Sequence, residues 1–209
     1  MSVSAENKIK LEQKRKSEII SAAKVLFYTY GFSGTNVDAI AKRAKISKGL
    51  IYHYFKSKVD ILLSFSSEIK VYLENLENEE NPKDALIKFG EDFLVNDVEE
   101  YENAVPIQIL LTTFANGEVD TSKYENHNPI LCDVGREYLG KLFQRGIDLG
   151  IFKDGDAREY GDIYWSFLLG KLLPVKKGNE KSNPEIYVKE IISMFYQDTE
   201  DGIWTRKPV

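Results

Sequence analysis

Apolar residues along this 209-residue chain recur mostly every third or fourth position, and polar, glycine or proline breaks cut the recurrence into helix-length blocks. After a charged lead-in, Glu6–Lys16, the stripe Ile19, Ala22, Ala23, Leu26, Phe27 and Tyr30 predicts a helix that Gly31 ends. Thr35, with Asp38 three residues on, reads as a capping box for a short helix carrying Val37, Ile40, Ala41 and Ala44. Ser47 offers a cap for the next helix, with Ile51 and Phe55 as an i, i+4 apolar pair. Ser57 and Asp60 open a fourth helix through Ile61, Leu62, Phe65, Ile69, Tyr72 and Leu76, up to the acidic stop at Glu77–Asn81. Asn81-Pro82, Asn128-Pro129 and Asn183-Pro184 each place a cap before a proline at the first helical position. Between them, Tyr101–Pro106 reads as a break and 117–128 as a polar loop. Gly150 ends one helix, Asp154–Asp156 turns the chain, and a broad stripe from Tyr160 to Leu172 stops before Pro174. Alternating strand patterns and internal repeats are absent, so the pattern predicts an all-α chain of about nine helices.

Residues 35–58 carry the most chemistry. Two short helices joined by a tight turn put Ile51 and Phe55 on one side of the second helix. Lys48, Gly49, Tyr52, His53 and Lys56 fall mainly on the other. Such a front can hold phosphates and reach base edges together, as a helix-turn-helix in a major groove does. An αα-hairpin with a solvated charged face has the same pattern. Charge distribution separates the two readings. Residues 1–60 carry 12 Lys and Arg against 5 Asp and Glu, whereas residues 61–209 carry 16 against 28. A basic end suits a polyanion, because neutralised phosphates release counterions. The acidic remainder keeps the rest of the molecule off that polyanion.

Composition adds limits rather than direction. Apolar content of 43% and charged content of 29% are those of an ordinary globular chain with ample core. No run approaches the roughly 18 apolar residues of a membrane span. Met1–Lys16 has no apolar stretch resembling a signal peptide, and Cys132 is the single cysteine. A cytoplasmic protein that binds no membrane is expected. With His53 and His127 far apart and one cysteine, no metal-ligand cluster and no cofactor motif is legible. Phosphate loops, a nucleophile elbow and a His-Glu-x-x-His pair are likewise absent from the sequence. Glu79-Glu80, Glu99-Glu100 and Asp154–Asp156 read as loop or helix-end charges, so an enzyme is not expected.

Across residues 15–63 the chain resembles the tetracycline-repressor (TetR) family of bacterial regulators. The match lies in Gly31-Phe32, Gly34-Thr35, Val37, Ile40-Ala41, Ala44, Ile46-Ser47-Lys48-Gly49, Ile51-Tyr52, Tyr54-Phe55 and Lys56-Ser57-Lys58. Beyond residue 65 it rests on length, helix count and a penultimate helix after Gly150-Ile151-Phe152 and Asp156. The resemblance implies a homodimeric repressor with a DNA-binding domain at 1–57 and a ligand-binding and dimerisation domain at 58–209. By position, Thr35 and Asn36 would touch the DNA backbone, and Lys48, Gly49 and Leu50 would approach base edges. Tyr52 and His53 would meet phosphates or bases, and Lys58 would hold a phosphate of the double-stranded operator. Independently, lysine can donate to guanine O6 or N7, leucine can meet a thymine methyl, and glycine lets the backbone come close.

The rest of the implied function falls on the acidic part. A small apolar inducer would sit among Phe89, Phe93, Ile107, Leu111, Phe114, Phe143 and Trp165, with Gln108 and His127 as polar anchors. An ordinary core also needs aromatics at helical spacing, and the net acidity gives only a weak bias towards neutral or cationic ligands. Tyr160, Tyr164, Phe167, Leu168, Ile191, Ile192 and Phe195 supply more apolar surface than one domain must bury, which suits a dimer interface on the last two helices. A DNA-binding protein of the same fold without an inducer, regulated by protein partners, is the alternative.

Overall fold

The computed structural model describes residues 3–94, 105–120, 134–172 and 184–197. Among these, nine α-helices follow in order: α1 Val3–Gly34, α2 Val37–Ala44, α3 Lys48–Tyr54, α4 Lys58–Glu77, α5 Pro82–Leu94, α6 Val105–Ala115, α7 Gly140–Asp148, α8 Ala157–Leu172 and α9 Pro184–Ser193. A π-helical turn, Val134–Leu139, leads directly into α7. The described residues hold no strand, only an isolated antiparallel bridge between Phe152 and Tyr196. The all-α expectation is therefore met. The Asn128-Pro129 restart and most of 117–128 lie outside the described residues.

Two local expectations are corrected. Glu6–Lys16 is no lead-in, because α1 is already helical from Val3. Nor does Thr35 cap α2. The cap is Asn36, whose side-chain carbonyl accepts the Ala39 N–H at 2.8 Å. Thr35 instead turns inward, its hydroxyl donating to the Leu26 and Gly31 carbonyls. Ser57 does cap α4, accepting the Asp60 N–H at 3.1 Å, while the Asp60 carboxylate accepts the Lys56 N–H at 2.8 Å.

The chain divides into two compact units, Met1–Tyr72 with Asn96–Leu131, and Leu73–Val95 with Cys132–Val209. The division falls within α4. In the first unit α1 packs on α2 and along α6. Its core is Ile19, Ala23, Phe27, Ile40, Ile51, Ile61, Leu62, Phe65 and Ile69, with Phe27 touching Phe32 and Phe65 at ring separations of 5.3 and 6.0 Å. Lys24 is buried in α1, and its ammonium meets the Glu68 carboxylate of α4 at 2.7 Å. A buried charge persists only when paired in this way.

The second unit is built around two aromatic clusters. Phe89, Phe93 and Trp165 form one, with Trp165 5.0 Å from Phe93 and 6.0 Å from Phe89. Phe143 centres the other, against Phe152, Tyr160, Tyr164 and Phe195. The Tyr164 hydroxyl is satisfied by the Leu86 carbonyl at 2.8 Å. Glycines let α8 lie against the turn before α7. A Cβ on Gly161 would stand 2.1 Å from the Gly135 carbonyl oxygen, so backbone meets backbone there. Arg145 of α7 donates to the Glu77, Glu79 and Glu80 carbonyls, closing the otherwise open C-terminal end of α4.

Gly31 interrupts α1 at φ 75° and ψ 166°, a conformation open essentially to glycine alone. Space is not the issue, since nothing lies within 4 Å of an added Cβ. Gly170 in α8 also has open space but no positive φ. Gly31→Ala should therefore destabilise the protein by about 1–3 kcal/mol in urea titration. Gly170→Ala should stabilise it by about 0.5–1 kcal/mol. Equal effects of the two substitutions would contradict this backbone assignment.

Candidate nucleic-acid interface

The geometry of α2 and α3 is set by three short-range devices. Asn36 fixes where α2 begins. At its end Lys45 adopts the left-handed conformation, φ 56° and ψ 41°, and the Ile46 N–H returns to the Ala41 carbonyl at 3.0 Å. That is a helix stop built without glycine, on a lysine that bears the strain. Ser47 then starts α3 at once by accepting the Leu50 N–H at 3.2 Å. Between the caps there is no slack, so the two helices hold one register.

Burial completes the placement. Ile51 and Phe55 sink into the core of the first unit and anchor the back of α3. Lys48, Gly49, Tyr52 and His53 are exposed on the front, and Leu50 is half-buried beside them. The His53 ring stands edge-on to Tyr54 at 4.9 Å. Lys48 extends to Asp38 of α2, with Nζ 2.7 Å from the carboxylate. This hydrogen bond pushes the lysine pKa up. Around this front, Lys42, Arg43, Lys45 and Lys56 are also exposed. The structure thus gathers Asn36, Lys48, Gly49, Leu50, Tyr52 and His53 on the α2–α3 hairpin, with the base-reading candidates at the α3 front.

Two residues assigned to DNA contact are engaged elsewhere. Thr35 is 3% exposed and spends its hydroxyl on α1 carbonyls, so its side chain is not available to a phosphate. Lys58 reaches back across the junction, its ammonium donating to the Phe32 carbonyl at 2.6 Å and the Thr35 carbonyl at 2.8 Å. The same ammonium lies 4.1 Å from the centre of the Phe32 ring. Burial pushes its pKa down, with the charge of Glu118 acting the other way. Lys58 is a clamp on the junction between α1 and α2. Sequence reasoning also missed Glu118, which accepts the Ser33 N–H at 2.7 Å from 85 positions away. No local pattern could have announced it.

The other candidate sites are placed differently. Phe89, Phe93, Phe143 and Trp165 are buried in the second unit, Phe143 in a cluster apart from the other three. Gln108 is buried and Leu111 and Phe114 are half-buried on α6, in the first unit. His127 lies outside the described residues. Of the residues assigned to a dimer interface, Tyr164, Leu168, Ile191, Ile192 and Phe195 are buried within their own unit. They fill a core, because α5 and α7 already cover them. Only Tyr160 and Phe167 are partly open.

A family model described as bacterial regulatory proteins, tetR family, matches residues 19–65, from mid-α1 into α4. Over 68 residues the chain is 43% identical to the HTH-type transcriptional regulator HbdR of Aromatoleum sp. (strain CIB), covering 32% of this chain and 30% of HbdR. It is 26% identical over 127 residues to the transposon Tn10 TetC protein of Escherichia coli, covering 57% of this chain and 64% of TetC. The matches thus span less than two thirds of these relatives. A solved structure of the transcriptional regulator FadR from Bacillus subtilis, in complex with stearoyl-CoA, shares the fold. It superposes with a TM-score of 0.63 at 21% identity, over 90% of this chain and 98% of that one. The helix order, the capped α2–α3 hairpin and the family match agree that residues 19–65 are a segment of the TetR family of bacterial regulatory proteins.

Proposed function

We propose that this protein is a transcriptional repressor of the cytoplasm that binds a palindromic operator as a homodimer, with residues 1–57 as its reading head. The observation that carries this reading is the exposed front of α3, held rigidly by caps at Asn36 and Ser47 and anchored by Ile51 and Phe55. Asn36 stands at the N-terminus of α2, where free N–H groups favour phosphate, and Tyr52 and His53 extend the contact along the backbone. Dimerisation is supported by apolar side chains that the second unit leaves open. Ile163 on α8, Ile186 on α9 and Met194 just beyond it are 46%, 54% and 57% exposed. With the half-buried Tyr160 and Phe167, they replace the buried residues as the proposed interface.

Release by a small apolar ligand is the proposed control, with Trp165, Phe89 and Phe93 of the second unit as its apolar wall. A second reading is favoured by one observation. Phe89 and Phe93 are fully buried against Trp165, as in a closed core, which suits a regulator that answers to protein partners instead. A ligand would have to part these rings and bind the DNA-incompetent state more tightly, since equal affinity shifts nothing.

Selection from random duplexes should return an inverted repeat whose half-sites are spaced by about 34–36 Å or a multiple. Lys48→Ala should relax one symmetric base preference by about 1–3 kcal/mol. Lys58→Ala should instead lower folding stability by about 1–3 kcal/mol, because two junction carbonyls lose a charged donor. A selected site without symmetry, or a Lys58 variant of unchanged stability, would count against these assignments.

The paired substitution Ile163→Glu with Met194→Glu should give a folded monomer by light scattering that has lost operator affinity. A folded dimer would show that the interface lies elsewhere.

After Trp204→Phe removes the other tryptophan, an apolar effector should change Trp165 emission and weaken operator binding together. Emission changes with unaltered operator affinity would favour the reading in which protein partners control the repressor.

A further inference from the structure

The ion pair between Asp38 and Lys48 joins the first turn of α2 to the first residue of α3, and it is open to solvent. The Asp38 side chain is 66% exposed and that of Lys48 49%. An exposed pair of this kind adds little to folding. The helices do not need it for register either, since Asn36, Lys45 and Ser47 already fix that. The pair therefore has its consequence at the surface α3 presents.

An ammonium has three N–H donors, and the bond to Asp38 uses one. Two remain, enough for the N7 and O6 acceptors of a guanine. A carboxylate has about four lone-pair sites, so Asp38 keeps acceptor capacity while bonded to Lys48. Next to guanine O6 across the base pair lies cytosine N4, a donor. Lysine and aspartate side by side, donor beside acceptor, mirror that acceptor beside donor. An A·T pair also offers thymine O4 beside adenine N6, but O4 is flanked by a methyl group instead of a second acceptor. An inverted pair is worse, because it sets the ammonium against a donor and the carboxylate against an acceptor.

We infer that Asp38 is a specificity-determining residue, and that Asp38 and Lys48 together read one G·C base pair of fixed orientation in each half-site. The inference rests on the DNA-reading assignment above. It explains why a carboxylate sits on a surface otherwise crowded with Lys42, Arg43, Lys45 and Lys56. A lone lysine is a point charge that any phosphate satisfies. The adjacent carboxylate is repelled by phosphate and tolerates only a partner that offers it a donor.

The experiment uses full-length wild type, Asp38→Ala and Asp38→Asn, with helicity checked by circular dichroism. Each is titrated against the selected operator and against the same operator with the G·C pair inverted symmetrically. Wild type should lose about 10–100-fold on inversion, the range for one mismatched pair. Asp38→Ala should lose about tenfold less. Asp38→Asn, whose amide can donate to guanine O6, should tolerate inversion too. Both variants should bind unrelated duplex more tightly than wild type, because the ammonium is released. Wild-type discrimination retained by both folded variants would overturn the inference while leaving the DNA-reading assignment intact. Failure of the wild type to select any site would overturn both.

Discussion

The carbonyls of Phe32 and Thr35 stand where α1 ends and α2 begins, at a bend that only glycine at position 31 allows. The Phe32 carbonyl accepts the Thr35 N–H at 3.2 Å, and Lys58 supplies a charged donor to each of the two carbonyls from the start of α4. Thr35 closes two further α1 carbonyls from within, and Glu118 accepts the Ser33 N–H from the end of α6. Three side chains from separate stretches of sequence thus satisfy one junction. Unpaired, these groups would be costly in a partly buried site. The position of α2 depends on this junction, and α3 depends on α2 through a turn with no free residue. The reading surface is therefore only as well defined as a set of hydrogen bonds that touch no ligand.

Much of this was legible in the sequence because it is local. The Ser47 and Ser57 caps, the Asn81-Pro82 start, the glycine stop at 31 and the α3 split between Ile51/Phe55 and Lys48/Tyr52 all lie within one or two helical turns. Their physics is complete there. Thr35 and Asn36 show where that reasoning fails. Either residue can cap, and the choice was made by the α1 carbonyls facing Thr35, nine positions away and closer. Lys58 is likewise placed by partners distant in sequence. Its basic, helix-opening position suits a phosphate, but the tertiary fold offers it two carbonyls and an aromatic face.

Apolar periodicity was a poor guide to which stripes face a partner. Tyr164, Leu168 and Ile192 have the same spacing whether they meet α5 and α7 of their own chain or a second copy. Periodicity reports that a face is buried and not against what. Close approach at Gly135 and Gly161 brings α8 against the turn before α7, and this consumes apolar surface that the sequence alone left unassigned. What remains outside is narrower, at Ile163, Ile186 and Met194, and lies on the edges of the stripes instead of their centres.

Segregated charge gives the basic end a long-range attraction for DNA but no preference among sequences. Preference requires that some cations be unable to accept any phosphate equally well. Lys24 is withdrawn from the surface by burial against Glu68, and Lys58 by its carbonyl partners. Lys48 is withdrawn only halfway, because its partner Asp38 is even more exposed than itself. The same residue type thus plays three parts in one small unit, decided by what else its ammonium can reach. In the proposed complex with DNA, affinity would come from the lysines left without such partners at the surface, and selectivity from the one whose partner competes with the DNA backbone.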